Sequence, residues 1–325
     1  MSEKINVLIT GAGGYLGSEA IKIISKDPAF GNVVGTDIRP RPEHFKDIDF
    51  TYIEADIRDK KMADTFKEYS IDVVVHLASI VTPPKGMSRD FVYSVDVDGT
   101  KNILDCCLEA GVKKILVTTS GASYGYYKDN PEWLVETDEI RGNYEFSYSH
   151  HKKLIEFMLK DYREKHPELK QLIFRPGTIL GDTTKNQITD IFEKKFVMGV
   201  KGSKTPFVFI WDRDLVNCLI KGMKEDKTGI YNMAGDGAVN LKDIAKILKK
   251  KFIPIPVPIL RGALTVLHKT GLTQYGPEQL DFLRYRPVLL NTKLKEEFGY
   301  TPQKTSLETF KYYLEKKACQ NQTSL

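Results

Sequence analysis

Up to Gly181 the apolar residues alternate between two patterns. Short β-branched runs, INVLIT, NVVGTD, TYIEAD, IDVVVHLAS and KKILVTTS, predict strands. Stretches with apolar residues at every third or fourth position predict helices: one running through Ile24, then KMADTFKEY, then RDFVYSVDVDGTKNILDCCLEA. A further helix is predicted over about 146–165, and LKQLIFRPG reads as the strand after it. No polar residue alternates with Val73, Val74 and Val75, as in a strand covered on both faces. Strands that alternate with helices pair in parallel through right-handed crossovers, so the predicted class is α/β with a doubly wound parallel sheet. Beyond Gly181 the rhythm changes. FVFIWDRDLVNCLIKGM and GIYNMAG still read as sheet and helix, and the remainder is predicted to be helical with breaks at Pro254, Pro256, Pro258, Pro277, Pro287 and Pro302. The expected division is a first domain over 1–182, to which 206–234 return, and a smaller, mainly helical C-terminal lobe built from 183–205 and 235–325.

The 325 residues suffice for one large α/β domain with an appended lobe. Lysine and arginine outnumber the acids 48 to 43, a net +5, but basic runs such as Lys249 to Lys251 lie among apolar residues at helical spacing. They read as a solvated helix face, and no nucleic-acid partner is expected. Cys106, Cys107, Cys218 and Cys319 show no paired metal-ligand spacing, so no metal is expected and the chain suits a reducing, cytoplasmic compartment. The most apolar later stretch, FIPIPVPILRGALTVLH, is interrupted by prolines and Arg261, and no signal-peptide core follows Met1. Neither a membrane span nor secretion is expected.

TGAGGYLG, residues 10–17, joins the first predicted strand to the first helix. Gly11, Gly14 and Gly17 recur at every third position, with Leu16 where the third glycine of the usual G-x-G-x-x-G would stand. In that context glycines permit a tight turn and close approach of a phosphate, which the free N–H groups at the helix start can bind. A dinucleotide site also needs an acid about twenty residues further on, at the end of the next strand. Asp37 meets that requirement. A carboxylate there accepts hydrogen bonds from ribose hydroxyls and repels a 2′-phosphate, so NAD is favoured over NADP, with Arg39 and Arg41 close by in sequence.

Thr10-Gly-x-x-Gly-x-x-Gly17, Asp37, Asp56-Ile57, HLAS at 76–79, DGTKNIL at 98–104, Tyr148-x-x-x-Lys152 and RPG at 175–177 occur in that order. As a set they resemble the extended short-chain dehydrogenase/reductase family, also called the NAD-dependent epimerase/dehydratase family, from Lys4 to about Ala234. The resemblance implies a Rossmann domain with NAD at the strand ends and a C-terminal substrate-binding lobe. It places Gly11, Gly14, Tyr15, Leu16 and Gly17 at the phosphates, Asp56 and Ile57 near the adenine, and Leu77 and Ala78 beside the cofactor, with His76 structural.

Tyr148 and Lys152 are four apart and share a helix face. A phenol, with an ordinary pKa of about 10, becomes a usable acid/base beside an ammonium and a cationic nicotinamide. The family pattern implies that Lys152 also holds the nicotinamide ribose and that Ser120, at the end of KKILVTTS, binds the substrate oxygen, with Thr119 and Ser123 as rivals. His150 and His151 lie inside the same motif, and Asp96 stands where many relatives have asparagine. Dehydratases of the family follow the serine or threonine with Asp-Glu; here Gly121 and Ala122 stand there, so dehydration is not expected. The asparagine and arginine that grip a diphosphate in nucleotide-sugar enzymes are replaced by Thr178 and, approximately, Phe207, which predicts a less anionic substrate. Phe207, Phe209, Trp211 and the stretch from Ile253 to Leu267 are candidates to line its pocket, with core packing the alternative. The expected activity is hydride exchange between NAD and a secondary alcohol or ketone. The alternatives are a nucleotide-sugar epimerase using bound NAD and a non-catalytic NAD-sensing protein. The stretches Ile103 to Leu108 and Leu154 to Leu159 carry more apolar residues than burial against one sheet face needs, and the resemblance implies that these helices pair in a homodimer.

Overall fold

A computed structural model describes residues 4–84, 86–272, 276–277 and 279–323. Its centre is a seven-stranded sheet of β1 (Ile5–Thr10), β2 (Phe30–Asp37), β3 (Thr51–Glu54), β4 (Val73–His76), β5 (Lys114–Thr118), β6 (Lys170–Pro176) and β11 (Gly229–Met233). The spatial order is β11-β6-β5-β4-β1-β2-β3, and every pairing is parallel. The chain leaves β1 towards β3, then returns to lay β4 on the other side of β1, with Thr10 opposite His76. At this reversal the connections diverge to opposite faces and open a crevice at the strand ends.

Both faces of the sheet are covered, which is why its strands lack polar alternation. On one face Val7, Ile9, Val73, Val75, Leu116 and Phe174 pack against α1 (Tyr15–Ile24) and α7 (Asp212–Lys224) through Ile21, Leu215 and Leu219. On the other, Leu8, Val74, Ile115, Val117 and Ile173 meet α2 (Met62–Glu68), α4 (Gly99–Ala110) and α5 (Ser147–Lys165) through Phe66, Ile103, Leu104, Ile155 and Leu159. The helix predicted over 89–110 forms as α3 (Arg89–Tyr93), a π-helical turn over Ser94–Asp98 and α4.

The rest of the chain is less purely helical than its pattern predicts. Beside α6 (Gln187–Glu193), α8 (Leu241–Ile247), α9 (Val257–Lys269), α10 (Gln279–Arg284) and α11 (Ser306–Thr323), six short strands form three pairs. β7 (Thr178–Leu180) pairs with β10 (Phe209–Trp211), β9 (Pro206–Phe207) with β12 (Val239–Asn240), and β8 (Val197–Val200) with β13 (Phe252–Ile255). Pro254, expected to break a helix, lies inside β13 opposite Gly199. A two-stranded ladder leaves each strand an unpaired edge, where the missing N–H of proline costs little. Phe207 and Phe209 stack at 5.8 Å in a core with Phe192 and Phe310, so packing, not pocket lining, is where these two rings go. α9 buries none of its residues, with Ile259 and Val266 both more than half exposed.

Candidate active site

The glycine turn lies at the C-terminal end of β1, in the crevice. Gly11 takes a left-handed φ of +70°, and a Cβ on it would stand 2.8 Å from the Ala78 nitrogen, so only glycine fits between the turn and the end of β4. Thr10 Oγ1 accepts from the N–H groups of Leu77 and Ala78 at 3.2 and 3.3 Å, fastening the two strand ends together. A Cβ on Gly17 would fall 2.4 Å from the Gly11 carbonyl oxygen. α1 starts at Gly14 with no side-chain cap, so the chain itself supplies no anion to the helix start. That cradle fits a pyrophosphate. Leu16 packs into the core, and the Tyr15 hydroxyl donates to Asp212 at 2.5 Å, tying the turn to α7.

Asp37 ends β2, is 7 % exposed and accepts from the Gly13 N–H at 3.1 Å. Arg39 forks onto both its oxygens at 2.9 and 3.0 Å. Burial pushes the Asp37 carboxyl up, but the hydrogen bonds and charge of Arg39, with the backbone donors, hold it below the usual carboxylate range. Arg41 is spent on the carbonyls of Phe45 and Ile48. Asp56 is gripped in the same manner by Arg58, and Ile57 packs against Gly99 at the start of α4.

Ser120, Tyr148 and Lys152 come together from β5 and α5. The Ser120 hydroxyl caps the turn Gly121–Tyr124 by accepting from the Ala122 N–H at 3.0 Å. Its rivals are engaged elsewhere: Thr119 donates to Glu156 at 2.6 Å, and Ser123 to the Ser120 carbonyl at 2.7 Å. Ser149, next to Tyr148, donates to the Ala122 carbonyl at 2.6 Å and locks α5 to that turn. Burial raises the Tyr148 phenol, with the Ser120 hydroxyl acting to lower it, so the phenol is protonated at neutral pH. Lys152 Nζ lies 5.6 Å from the Tyr148 ring centre and donates to the Thr118 carbonyl at 3.4 Å. Burial lowers the Lys152 ammonium, while Asp96 and Glu156 act to raise it.

The histidines separate clearly. His76 bonds Thr10 at 2.7 Å and Thr100 at 3.0 Å, and burial pulls it down to about 3, a neutral structural residue. His151 is buried, its Nδ1 3.0 Å from Asp96. His150 is partly exposed and stands edge-on to Tyr144.

An aromatic wall links the C-terminal part to this centre: Phe282 of α10 meets Tyr126 and Phe146, and Phe146 meets Tyr148. The residue that sequence reading missed is Arg286. Its guanidinium carbon lies 4.2 Å from the Phe207 ring centre, it reaches Thr178 Oγ1 at 3.5 Å, and its buried Nε has no hydrogen-bond partner. The cation absent from position 207 is thus brought to that ring from 79 residues along the chain, beyond the reach of any local spacing rule. Tyr148 packs against the buried cluster of Ala122, Tyr126 and Phe282.

A profile of the NAD dependent epimerase/dehydratase family matches residues 7–234. The chain belongs to this family. It is accordingly an NAD-dependent enzyme, and the cradle, Asp37 and the uncapped helix fit that cofactor. The chain is similar to the N-acetyl-alpha-D-glucosaminyl-diphospho-ditrans,octacis-undecaprenol 4-epimerase of Escherichia coli O157:H7, 27 % identical over 79 % of this chain and 78 % of that one. It is also similar to the decarboxylating sterol-4-alpha-carboxylate 3-dehydrogenase of Candida albicans, 23 % identical over 95 % and 96 %. The fold matches WbmG of Bordetella bronchiseptica, solved in complex with NAD and UDP, at a TM-score of 0.75 and 17 % identity over 98 % and 96 % of the two chains.

Proposed function

We propose that this family member is an oxidoreductase that exchanges hydride between NAD and a secondary alcohol or ketone. The observation that carries the reading is the convergence of Ser120, Tyr148 and Lys152 beside an aromatic wall, with Gly121, packed on Leu289, and Ala122 where a dehydratase would carry two acids. Bound NAD would supply the acceptor or donor of the hydride. Tyr148 moves the hydroxyl proton, Ser120 orients the substrate oxygen and steadies its charge, and Lys152 holds the nicotinamide ribose and favours the phenolate. Residues 1–182 with 206–234 would serve as the cofactor domain, and 183–205 with 235–325 as the substrate lobe, the protein acting as a cytoplasmic homodimer.

A second reading, an epimerase acting on a diphosphate-bearing sugar, draws support from Arg286, whose unpartnered Nε and stacked guanidinium suit an anionic group. Net NADH decides between them. A dehydrogenase accumulates it in proportion to oxidised substrate, whereas an epimerase converts substrate without it.

A further inference from the structure

α9 is apolar on two sides. Leu260 and Leu264, one turn apart, are partly buried, whereas Ile259, Ala263 and Val266, spaced i, i+4 and i+7, form a stripe that faces solvent. Ile259 is 62 % and Val266 61 % exposed, and Leu272, just past the helix, is 76 % exposed. The polar residues Arg261, Thr265 and Lys269 are confined to the remaining side. A surface helix ordinarily turns its apolar stripe inward, so a stripe turned to solvent marks a contact that the folded chain alone does not make. The strands leading into α9 present the same chemistry: Met198, opposite Ile253 in the β8–β13 ladder, is also more than half exposed.

The charge around this surface has one sign. No Asp or Glu stands between Asp243 and Glu278, a segment that holds Lys246, Lys249, Lys250, Lys251, Arg261 and Lys269. These six positive charges exceed the net +5 of the whole chain, so the basic character of the protein is concentrated here. Between Glu193 and Asp212 there is again no acid until the end of the segment, while Lys194, Lys195, Lys201 and Lys204 lie within it. Lys250 Nζ donates to the Phe192 and Lys194 carbonyls at 2.5 and 2.8 Å and so ties the two basic segments together.

The combination of an apolar stripe and unopposed positive charge decides what fits. A second copy is a poor occupant, since a two-fold contact would set this surface against itself and bring like charges together. Nor can α9 cross a bilayer: its 13 residues rise about 20 Å against a hydrocarbon core of about 30 Å, and among the described residues no helix is long and apolar enough to span. We propose that α9 and the adjoining β8–β13 pair rest on an anionic lipid surface, with Ile259, Val266 and Leu272 entering the acyl boundary and the lysines and Arg261 meeting phosphate headgroups.

Co-sedimentation of the full chain with vesicles of phosphatidylcholine, alone or mixed equally with phosphatidylglycerol, tests it. The protein should pellet with the mixed vesicles, stay in solution with phosphatidylcholine alone, and be released by high salt, which screens the basic residues. Ile259→Glu combined with Val266→Glu should weaken partitioning at least about tenfold. The unfolding midpoint should be kept, since neither side chain is buried. Arg261→Gln with Lys269→Gln leaves the apolar stripe intact and should weaken partitioning by about fivefold per charge removed. Equal partitioning by the glutamate variant would overturn the proposal, as would failure of the unmodified protein to bind the mixed vesicles, which would leave the surface to a protein partner. A fall in light-scattering mass on the same glutamate substitutions without lipid would give the surface to a second copy and overturn it too.

Discussion

Burial raises the Tyr148 phenol and keeps it protonated in the resting site, the state that the proposed proton donor requires. Tyr148→Phe removes the oxygen alone; turnover should drop by about 10²- to 10⁴-fold while calorimetric NAD affinity stays within a factor of about two. A comparable loss of NAD binding would show that the residue holds cofactor rather than a proton. Asp37 gives a second test. Because Arg39 keeps its carboxyl below the usual range, Asp37 is charged at neutral pH, and its contribution should persist as pH falls until that lowered pKa is crossed. Asp37→Ser should weaken NAD by about tenfold, the scale of one charge-assisted hydrogen bond, and narrow its advantage over NADP, since Arg39 is then released. Equal binding of both dinucleotides by the unmodified protein would contradict this. The glycine turn, Asp37 and the Tyr148/Lys152 spacing were legible because each depends on neighbours within one strand-turn-helix unit. Arg286 and the Asp96–His151 contact were not, because they join positions 108 and 55 residues apart.

Among the elements, α5 carries most of the site, and its anchoring is long-range. Glu156, one turn beyond Lys152, joins Arg175 at the end of β6 inside the protein, with both side chains 3 % exposed. Glu156→Gln leaves the guanidinium buried without its countercharge and should cost about 3–5 kcal/mol in denaturant unfolding. A change below about 1 kcal/mol would mean that water or relaxation satisfies Arg175. Strands of the central sheet were readable from their uninterrupted apolar runs, and helices from their spacing. The short pairs β8–β13 and β9–β12 were not, because two to four residues give no measurable period and their pairing is decided by the core around Phe207 and Phe209. The π-turn before α4 escaped for another reason: a single inserted residue leaves the apolar spacing of a helix almost unchanged.

At the scale of the whole molecule, α5 leaves Phe157 about half exposed, with Leu154 and Met158 only partly covered. These suit the paired-helix homodimer, and light scattering at micromolar concentration should give twice the chain mass; Phe157→Glu should halve it, and a monomer before substitution would dismiss the idea. The aromatic wall from Phe282 to Tyr148 joins the C-terminal part to the candidate site, so under the proposed function both parts of the chain would define the substrate. Central to the proposed function is net hydride transfer with Tyr148 as the proton carrier. The decisive measurement is NADH formed by the purified protein with NAD and a panel of secondary alcohols that includes nucleotide sugars and hydroxy acids, run beside Tyr148→Phe. NADH should form in step with ketone produced and collapse in the variant; substrate conversion without NADH, or undiminished NADH from Tyr148→Phe, would contradict net hydride transfer through Tyr148.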